Sequence, residues 1–329
     1  MTKRRLLALA GAALALASAT MLVGISPAGA TDWPTKPIRL VVPSSAGGAA
    51  DLIGRTFGNA LSPALGQQFV IDNRQGAGGA LALEAVLRAE ADGYTLLVSG
   101  LPYNVLAPAL NANHSFDPVR DFTHIAYFGG PPMVLVAHPS LGVKTYKELA
   151  ALAASNKAGI DYVSPGVGTV GHVAIERLVA LSKINLTHVP YRGGGNAIID
   201  LVAGHVKAGC LTWSTLIEHL RAGQVIPLAV STTERMPEFP DVPTFVELGY
   251  PDIVMTAWFS LSGPARMPPP IVERLNRLVN EAITKPEVRK ALERDSSLVK
   301  PMSSAELTAL MQSETDKWAP VVRRLAPPK

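Results

Sequence analysis

The groups in this chain best placed to do chemistry are backbone amides. Four glycine-rich turns each lie between a β-type run and a helical pattern: Pro43-Ser44-Ser45-Ala46-Gly47-Gly48, Asn73-Arg74-Gln75-Gly76-Ala77-Gly78-Gly79, Ser164-Pro165-Gly166-Val167-Gly168-Thr169-Val170-Gly171 and Pro190-Tyr191-Arg192-Gly193-Gly194-Gly195-Asn196. Glycine allows positive φ and close approach of the backbone to a ligand. The first turn of the helix that follows offers unpaired N–H donors and a partial positive charge. Such junctions bind anions. A single one is more often a plain tight connection, but four in one chain favour a shared polar cleft.

Gly166, Gly168 and Gly171 also spell G-x-G-x-x-G, the dinucleotide fingerprint. That use needs an acidic residue near the end of the next strand to hold a ribose. Between Glu176 and Asp200 there is none, and the strand ends in Thr187-His188-Val189-Pro190. No nicotinamide, flavin or other cofactor is therefore expected. No G-x-S-x-G elbow, G-x-x-x-x-G-K-[ST] loop or H-E-x-x-H pair occurs. The histidines, at 114, 124, 138, 172, 188, 205 and 219, lack metal-ligand spacing. Only His172, at the start of a helix beside Thr169, is a pocket candidate; structural or solvent roles are expected for the others, and no metal site is expected.

The elements that must position these turns alternate along the chain, which is the pattern of a mostly parallel α/β sheet. Strands are expected at Ile38-Val42, Phe69-Asp72, Thr95-Ser99, Met133-Ala137, Asp161-Val163, Leu186-Val189, Ala208-Thr212, Ile226-Val230 and Val254-Leu261. Helical spacing marks Asp51-Leu65, Leu81-Ala89, Tyr146-Ala154, His172-Ser182 and Asn196-Ala203, then Pro270-Ile283, Pro286-Arg294 and Ser304-Arg324 near the C-terminus. Ser304 is a candidate cap for the last of these. No long linker divides the chain, and no internal repeat is apparent. Two extended, apolar segments, Ala126-Pro139 and Ile253-Pro264, are placed to cross between domains. They imply a discontinuous first domain, residues 31–132 plus 255–329, and a continuous second domain, 133–254, with two of the glycine turns in each.

At the N-terminus, Lys3, Arg4 and Arg5 precede an apolar run from Leu6 to about Gly24 that closes on Ala28-Gly29-Ala30. This is the order of a secretory signal peptide, expected over residues 1–30 with cleavage after Ala30, and the twin Arg4-Arg5 leaves the export route open. Removing 30 of 329 residues leaves 299, with 27 basic against 26 acidic residues and a net charge of +1. No later Lys/Arg run suits nucleic acid. The only cysteine, Cys210, rules out an intramolecular disulfide, so stability must come from a core for which 48% hydrophobic residues suffice. A periplasmic product without a membrane span, acting as a monomer, is expected.

The sequence is similar to the Bug family, the extracytoplasmic solute receptors of tripartite tricarboxylate transporters. The likeness spans the chain after the leader. It rests on Trp33-Pro34-Thr35-Lys36-Pro37-Ile38-Arg39-Leu40-Val41-Val42-Pro43, Ala46-Gly47-Gly48 with Asp51, Asn73-Arg74-Gln75-Gly76-Ala77-Gly78-Gly79 and Asp92-Gly93-Tyr94-Thr95-Leu96-Leu97. It continues in His188-Val189-Pro190-Tyr191-Arg192-Gly193, Asp241-Val242-Pro243-Thr244 and Pro269-Pro270-Ile271-Val272. The resemblance implies a type II periplasmic-binding-protein fold, two α/β domains joined by two crossover strands. It also implies that ligand carboxylates are held by backbone N–H groups, hydroxyls and waters from loops matching Ser44 to Asp51 and Ser164 to His172. Membrane permease subunits would be the partners.

The expected ligand contacts are Ser44, Ser45, Ala46, Gly47, Gly48, Asp51, Gly78, Ser164, Gly168, Thr169, His172, Tyr191 and Trp213. Two of these depart from the family pattern: Ser44 stands where an aromatic residue is common, and Trp213 where an acid or amide is frequent. An indole at the junction after Ala208-Thr212 would form a pocket wall, with core packing as its competing role. The ligand set then extends from citrate-like and amino acids to a flat or aromatic acid. Capture by domain closure without catalysis is the expected function. A sensory module that passes the ligand state to a signalling partner, and an enzyme in the same cleft, are the rivals.

Overall fold

A computed structural model describes residues 33–110, 116–295, 297 and 299–323. The expected leader, its cleavage site and His114 lie outside the described residues. Residues from Pro34 onward form one compact unit.

Strand β1 (Ile38–Val42) is almost continuously apolar and buried, as a parallel strand covered on both faces must be. It lies between β2 (Phe69–Asn73) and β3 (Thr95–Gly100), parallel to both. The helix that follows β1, α1 (Ala49–Leu65), buries Ile53, Phe57, Leu61 and Leu65 at helical spacing and stops at Gly66 in the left-handed conformation. After β2 comes α2 (Ala80–Leu87). After β3 the chain enters a π-helical turn, Leu101–Leu106, continued by the short α3 (Ala107–Leu110). β4 (Phe122–Gly129) then closes this part of the sheet.

The chain next passes to β5 (Met133–Ala137), α4 (Tyr146–Ser155), β6 (Ile160–Ser164), α5 (Val170–Ser182), β7 (Leu186–Pro190), α6 (Gly194–Val202), β8 (Ala208–Thr212), α7 (Trp213–Arg221) and β9 (Ile226–Val230). It returns through β10 (Phe259–Pro264) and ends in α8 (Pro269–Thr284), α9 (Pro286–Arg294) and α10 (Ser304–Arg323). The first sheet has the order β2-β1-β3-β10-β4 and the second β7-β6-β8-β5-β9. In each, three strands run parallel and the fourth is antiparallel to its neighbours. The two sheets therefore share one plan. No repeat was legible in the residues, because strand order constrains burial and not identity.

Two segments join the lobes built on these sheets. Gly129-Gly130-Pro131-Pro132 leads from β4 to β5, and Met255 to Trp258 leads back to β10. They touch through a bridge between Pro132 and Thr256 and a 2.9 Å hydrogen bond from Ala257 N to Pro131 O. A Cβ on Gly130 would fall 2.3 Å from Ala257 O, so only glycine lets the two backbones meet there. Residues 254–258 thus pair at a single bridge, and β10 starts at Phe259 instead of Val254. The segments at Leu101–Leu110 and Phe122–Gly129 were not expected as a helix and a strand. The last helix is capped by Ser303, not Ser304. Ser303 Oγ accepts from Glu306 N (3.2 Å) and Glu306 Oε2 accepts from Ser303 N (2.8 Å), while Ser304 Oγ donates to the His124 carbonyl.

The second lobe's core gathers Val134, Val136, Val163, Leu201, Leu211, Leu216 and Leu220 around Trp213. Cys210 is buried there, and burial pushes its thiol up from the usual range. No described helix is long and apolar enough to cross a membrane.

Candidate functional site

Between the two sheets, at the carboxyl ends of β1, β3, β6, β7 and β8, lies a small inner chamber of about 30 Å³. That is room for about two water molecules. Ligands of open α/β sheets occupy this end of the strands. The starts of four helices line the chamber: Ala49 and Ala50 of α1, Thr169 to Gly171 of α5, Gly194 of α6, and Thr212 and Thr215 of α7. None of the four helices has a side chain hydrogen-bonded as its N-cap. Their first-turn N–H groups and the positive ends of their dipoles therefore converge on one space.

The inner chamber shares Tyr103, Pro165 and Thr169 with an outer chamber of about 460 Å³, lined by Gly76 to Gly79, Ala107, Leu110 and Pro190 to Gly193. Among the described residues lining either chamber there is no carboxylate and one charged side chain, Arg192. The arrangement suits an anion in a mostly apolar enclosure.

The first turn is braced by Asp51, which faces its own loop and not the chamber. Its Oδ2 accepts from Gly47 N (3.0 Å) and Arg55 Nε (2.9 Å), and its Oδ1 from Asn73 Nδ2 (3.0 Å). Burial pushes this carboxyl up, but the hydrogen bonds from Arg55, Gly47 and Asn73 outweigh it and hold the group below the usual carboxylate range. Asn73 Nδ2 also donates to Ser44 O (3.0 Å). The expected contact of Asp51 with a ligand is thus corrected to a positioning role: a carboxylate aimed at an anion would repel it. Ser44 lines the inner chamber, where its Oγ donates to Ser45 O (3.1 Å), and burial suppresses ionisation of the Tyr103 hydroxyl in the same chamber. Ser45 is buried, and its Oγ has no hydrogen-bond partner among the described residues. Gly48, the residue before α1, sits against Gly194. Ala46 and Gly47 are exposed and line neither chamber.

The third turn is braced by two stacked histidines. His172 Nδ1 accepts from Gly168 N (3.1 Å), and its ring lies 4.1 Å from that of His188. His188 Nε2 is 2.7 Å from Ser164 Oγ, which accepts from Gly166 N (3.1 Å). Burial lowers His172 to about 4; burial and the neighbouring His172 lower His188 to about 3. Both rings are therefore neutral near pH 7. Ser164, Gly168 and His172 shape the loop without lining a chamber, whereas Thr169 lines both and donates from Oγ1 to Gly166 O (2.8 Å). Gly78 and Tyr191 line the outer chamber. The Tyr191 hydroxyl donates to Asp200 Oδ2 (2.5 Å), and its phenol is pushed up to about 12 by burial and that carboxylate.

Trp213 does not line the cleft. Its indole is 1% exposed, packs edge-on to Phe239 at 5.6 Å, and donates from Nε1 to Arg294 O (3.1 Å). The backbone fixes this outcome: Trp213 N donates to Pro132 O in the crossover (2.9 Å), which turns the side chain into the core. The chamber receives Thr212 and Thr215, whose hydroxyls lie 2.8 Å apart. These two and Tyr103 were missed. The junction itself was legible for the threonines; for Tyr103 the signal was Gly100 followed by Pro102 at the end of a strand.

Across the cleft the lobes touch. Gly193 to Gly195 rest on Ser45 and Ala46, and Asn196 Nδ2 donates to Gln75 Oε1 (2.9 Å).

The chain matches the family described as tripartite tricarboxylate transporter family receptor over residues 53–326. It is 31% identical over 324 residues to Protein BugT of Bordetella pertussis, covering 98% of each chain. Among solved structures it is similar to periplasmic binding protein BugD, with a TM-score of 0.85 and 28% identity over 89% of this chain and 98% of that one. It is also similar to MatC from Rhodopseudomonas palustris with bound malate, with a TM-score of 0.84 and 34% identity over 88% and 100%. The chain belongs to this receptor family, and its fold is that of the periplasmic binding proteins.

Proposed function

From that membership we propose that this chain is a periplasmic receptor that captures a small carboxylate between its lobes and presents it to the permease of a tripartite tricarboxylate transporter, without chemical change. The observation that carries the reading is the convergence of four uncapped helix N-termini on a chamber with no lining carboxylate. Such a site attracts an anion and repels a cation. The malate bound by MatC supports the same ligand chemistry. The lobes act as domains, residues 31–132 plus 255–329 and 133–254, that close by bending at the two crossovers. Export follows removal of residues 1–30.

A thermal-shift screen of the exported chain against mono-, di- and tricarboxylates tests this. A ligand selective for the folded state adds about 2.7 kcal/mol of stability at a hundredfold excess over its Kd. At least one carboxylate should raise the unfolding temperature and be recovered intact, while the corresponding amides and amines should not. Stabilisation by none of the acids, or conversion of the bound one, would overturn the proposal.

A further inference from the structure

Arg192 stands in the turn before α6, at the mouth of the outer chamber, and its side chain is exposed. Two other arginines border the shallow groove beside that mouth, and each has a carboxylate partner: Arg74 pairs with Asp72 (2.9 Å), which it shares with Arg39, and Arg88 with Glu84 (3.2 Å). Among the described residues no acid pairs with Arg192. Besides glycine backbone and the hydroxyl-bearing Thr169 and Tyr191, the outer chamber presents Ala107, Leu110 and the Tyr103 ring. A methylene chain fits along the Ala107, Leu110 and Tyr103 side of this chamber. The inner chamber offers donors for one carboxylate, so a second would emerge beside the guanidinium, whose paired N–H groups match a carboxylate's two oxygens.

We propose that Arg192 is the specificity-determining residue for a distal carboxylate, so that the site selects an extended dicarboxylate over a monocarboxylate of the same length. This rests on the reading that the inner chamber holds the first carboxylate.

The test is calorimetric titration of the exported chain with length-matched pairs: succinate and butyrate, glutarate and valerate, adipate and hexanoate. Wild type, Arg192→Gln and Arg192→Lys are compared, with the melting temperature of each ligand-free variant as a folding control. Wild type should prefer one of the dicarboxylates. Arg192→Gln should weaken that ligand by about 10- to 100-fold, the loss expected for a charge-assisted pair, and leave its monocarboxylate partner unchanged. Arg192→Lys should recover part of the difference, and added salt should weaken the dicarboxylate more in wild type than in Arg192→Gln. Equal effects of Arg192→Gln on both members of a pair, or a wild type that binds monocarboxylates as tightly, would overturn this inference and leave carboxylate capture standing. A wild type that binds none of the acids would overturn both.

Discussion

Replacing Gly195 by alanine separates closure from folding. Gly195 is the second residue of α6 and has no positive φ, so a methyl group is compatible with the helix and should favour it by up to about 1 kcal/mol. In the closed arrangement, however, the new Cβ would fall 2.0 Å from Ala46 O in the opposite lobe. Carbon and oxygen meet comfortably at about 3.4 Å, so the lobes would have to part by roughly 1.4 Å at this point. Overpacking of this kind costs about 1–3 kcal/mol, which is an affinity loss of about 5- to 150-fold. Calorimetric titration should show that loss, while scanning calorimetry of the ligand-free protein should show an unchanged or slightly raised melting temperature. Wild-type affinity in Gly195→Ala would refute the reasoning, because the contact with Ala46 would then be absent from the liganded state. A lowered ligand-free melting temperature would refute it differently, by showing that α6 itself cannot take the methyl group.

Asp51→Asn removes the ionised acceptor that Gly47 and Arg55 share. It should cost about 1–3 kcal/mol in urea denaturation and weaken ligand binding as the first turn loosens; a variant as stable as wild type would show that the carboxylate braces nothing. Trp213→Ala should destabilise by about 3–5 kcal/mol, whereas Trp213→Phe should keep ligand affinity, and a loss of affinity in a stable Trp213→Phe would return the indole to the binding site. Acid should destabilise the fold well before its carboxylates titrate. His124 and His172 are each lowered to about 4 by burial. Between about pH 4 and 6.5 the unfolded chain therefore binds more protons, and stability falls as pH drops, by up to about 1.4 kcal/mol per pH unit for each ring. Urea midpoints that stay flat from pH 7.5 to 5 would contradict this.

Much of the fold is legible because strands covered on both faces must be mostly apolar, as the parallel β1 and the antiparallel β5 are. The strands that were missed or displaced, β4 and β10, carry a polar seam. Ser99 Oγ lies 2.7 Å from Ser260 Oγ and 2.6 Å from Ser262 Oγ, and His124 Nδ1 lies 3.1 Å from Ser262 Oγ, all buried within the first sheet. Read one strand at a time, serine and histidine suggest a turn. They suit a sheet interior only because three strands bring their hydroxyls together, and that proximity is a tertiary fact. The segment Leu101–Leu110 escaped notice for a related reason: its two prolines oppose a helix locally, and packing against α10 and β3 settles the matter.

The site was legible as backbone and less so as side chains. Glycine spacing marks where a chain must come close to something, but it does not name the partner. Gly78 stands in the wall of the outer chamber, and Gly48 sits between its own loop and Gly194, where a Cβ would fall 3.0 Å from Ser44 Oγ and 3.5 Å from Gly194 N. At Gly168 and Gly195 the close partner is the opposite lobe: a Cβ on Gly168 would lie 2.4 Å from Ala107 Cα, much as one on Gly195 would strike Ala46. These glycines let the lobes close. The helix N-termini they introduce line one chamber, so one small residue type serves clearance between the lobes and the donors of the proposed site. The same logic explains Trp213 against Thr212. At the end of a strand buried on both faces, residue type alone does not say which side chain turns to the cleft, and the hydrogen bond from Trp213 N to Pro132 O makes that choice.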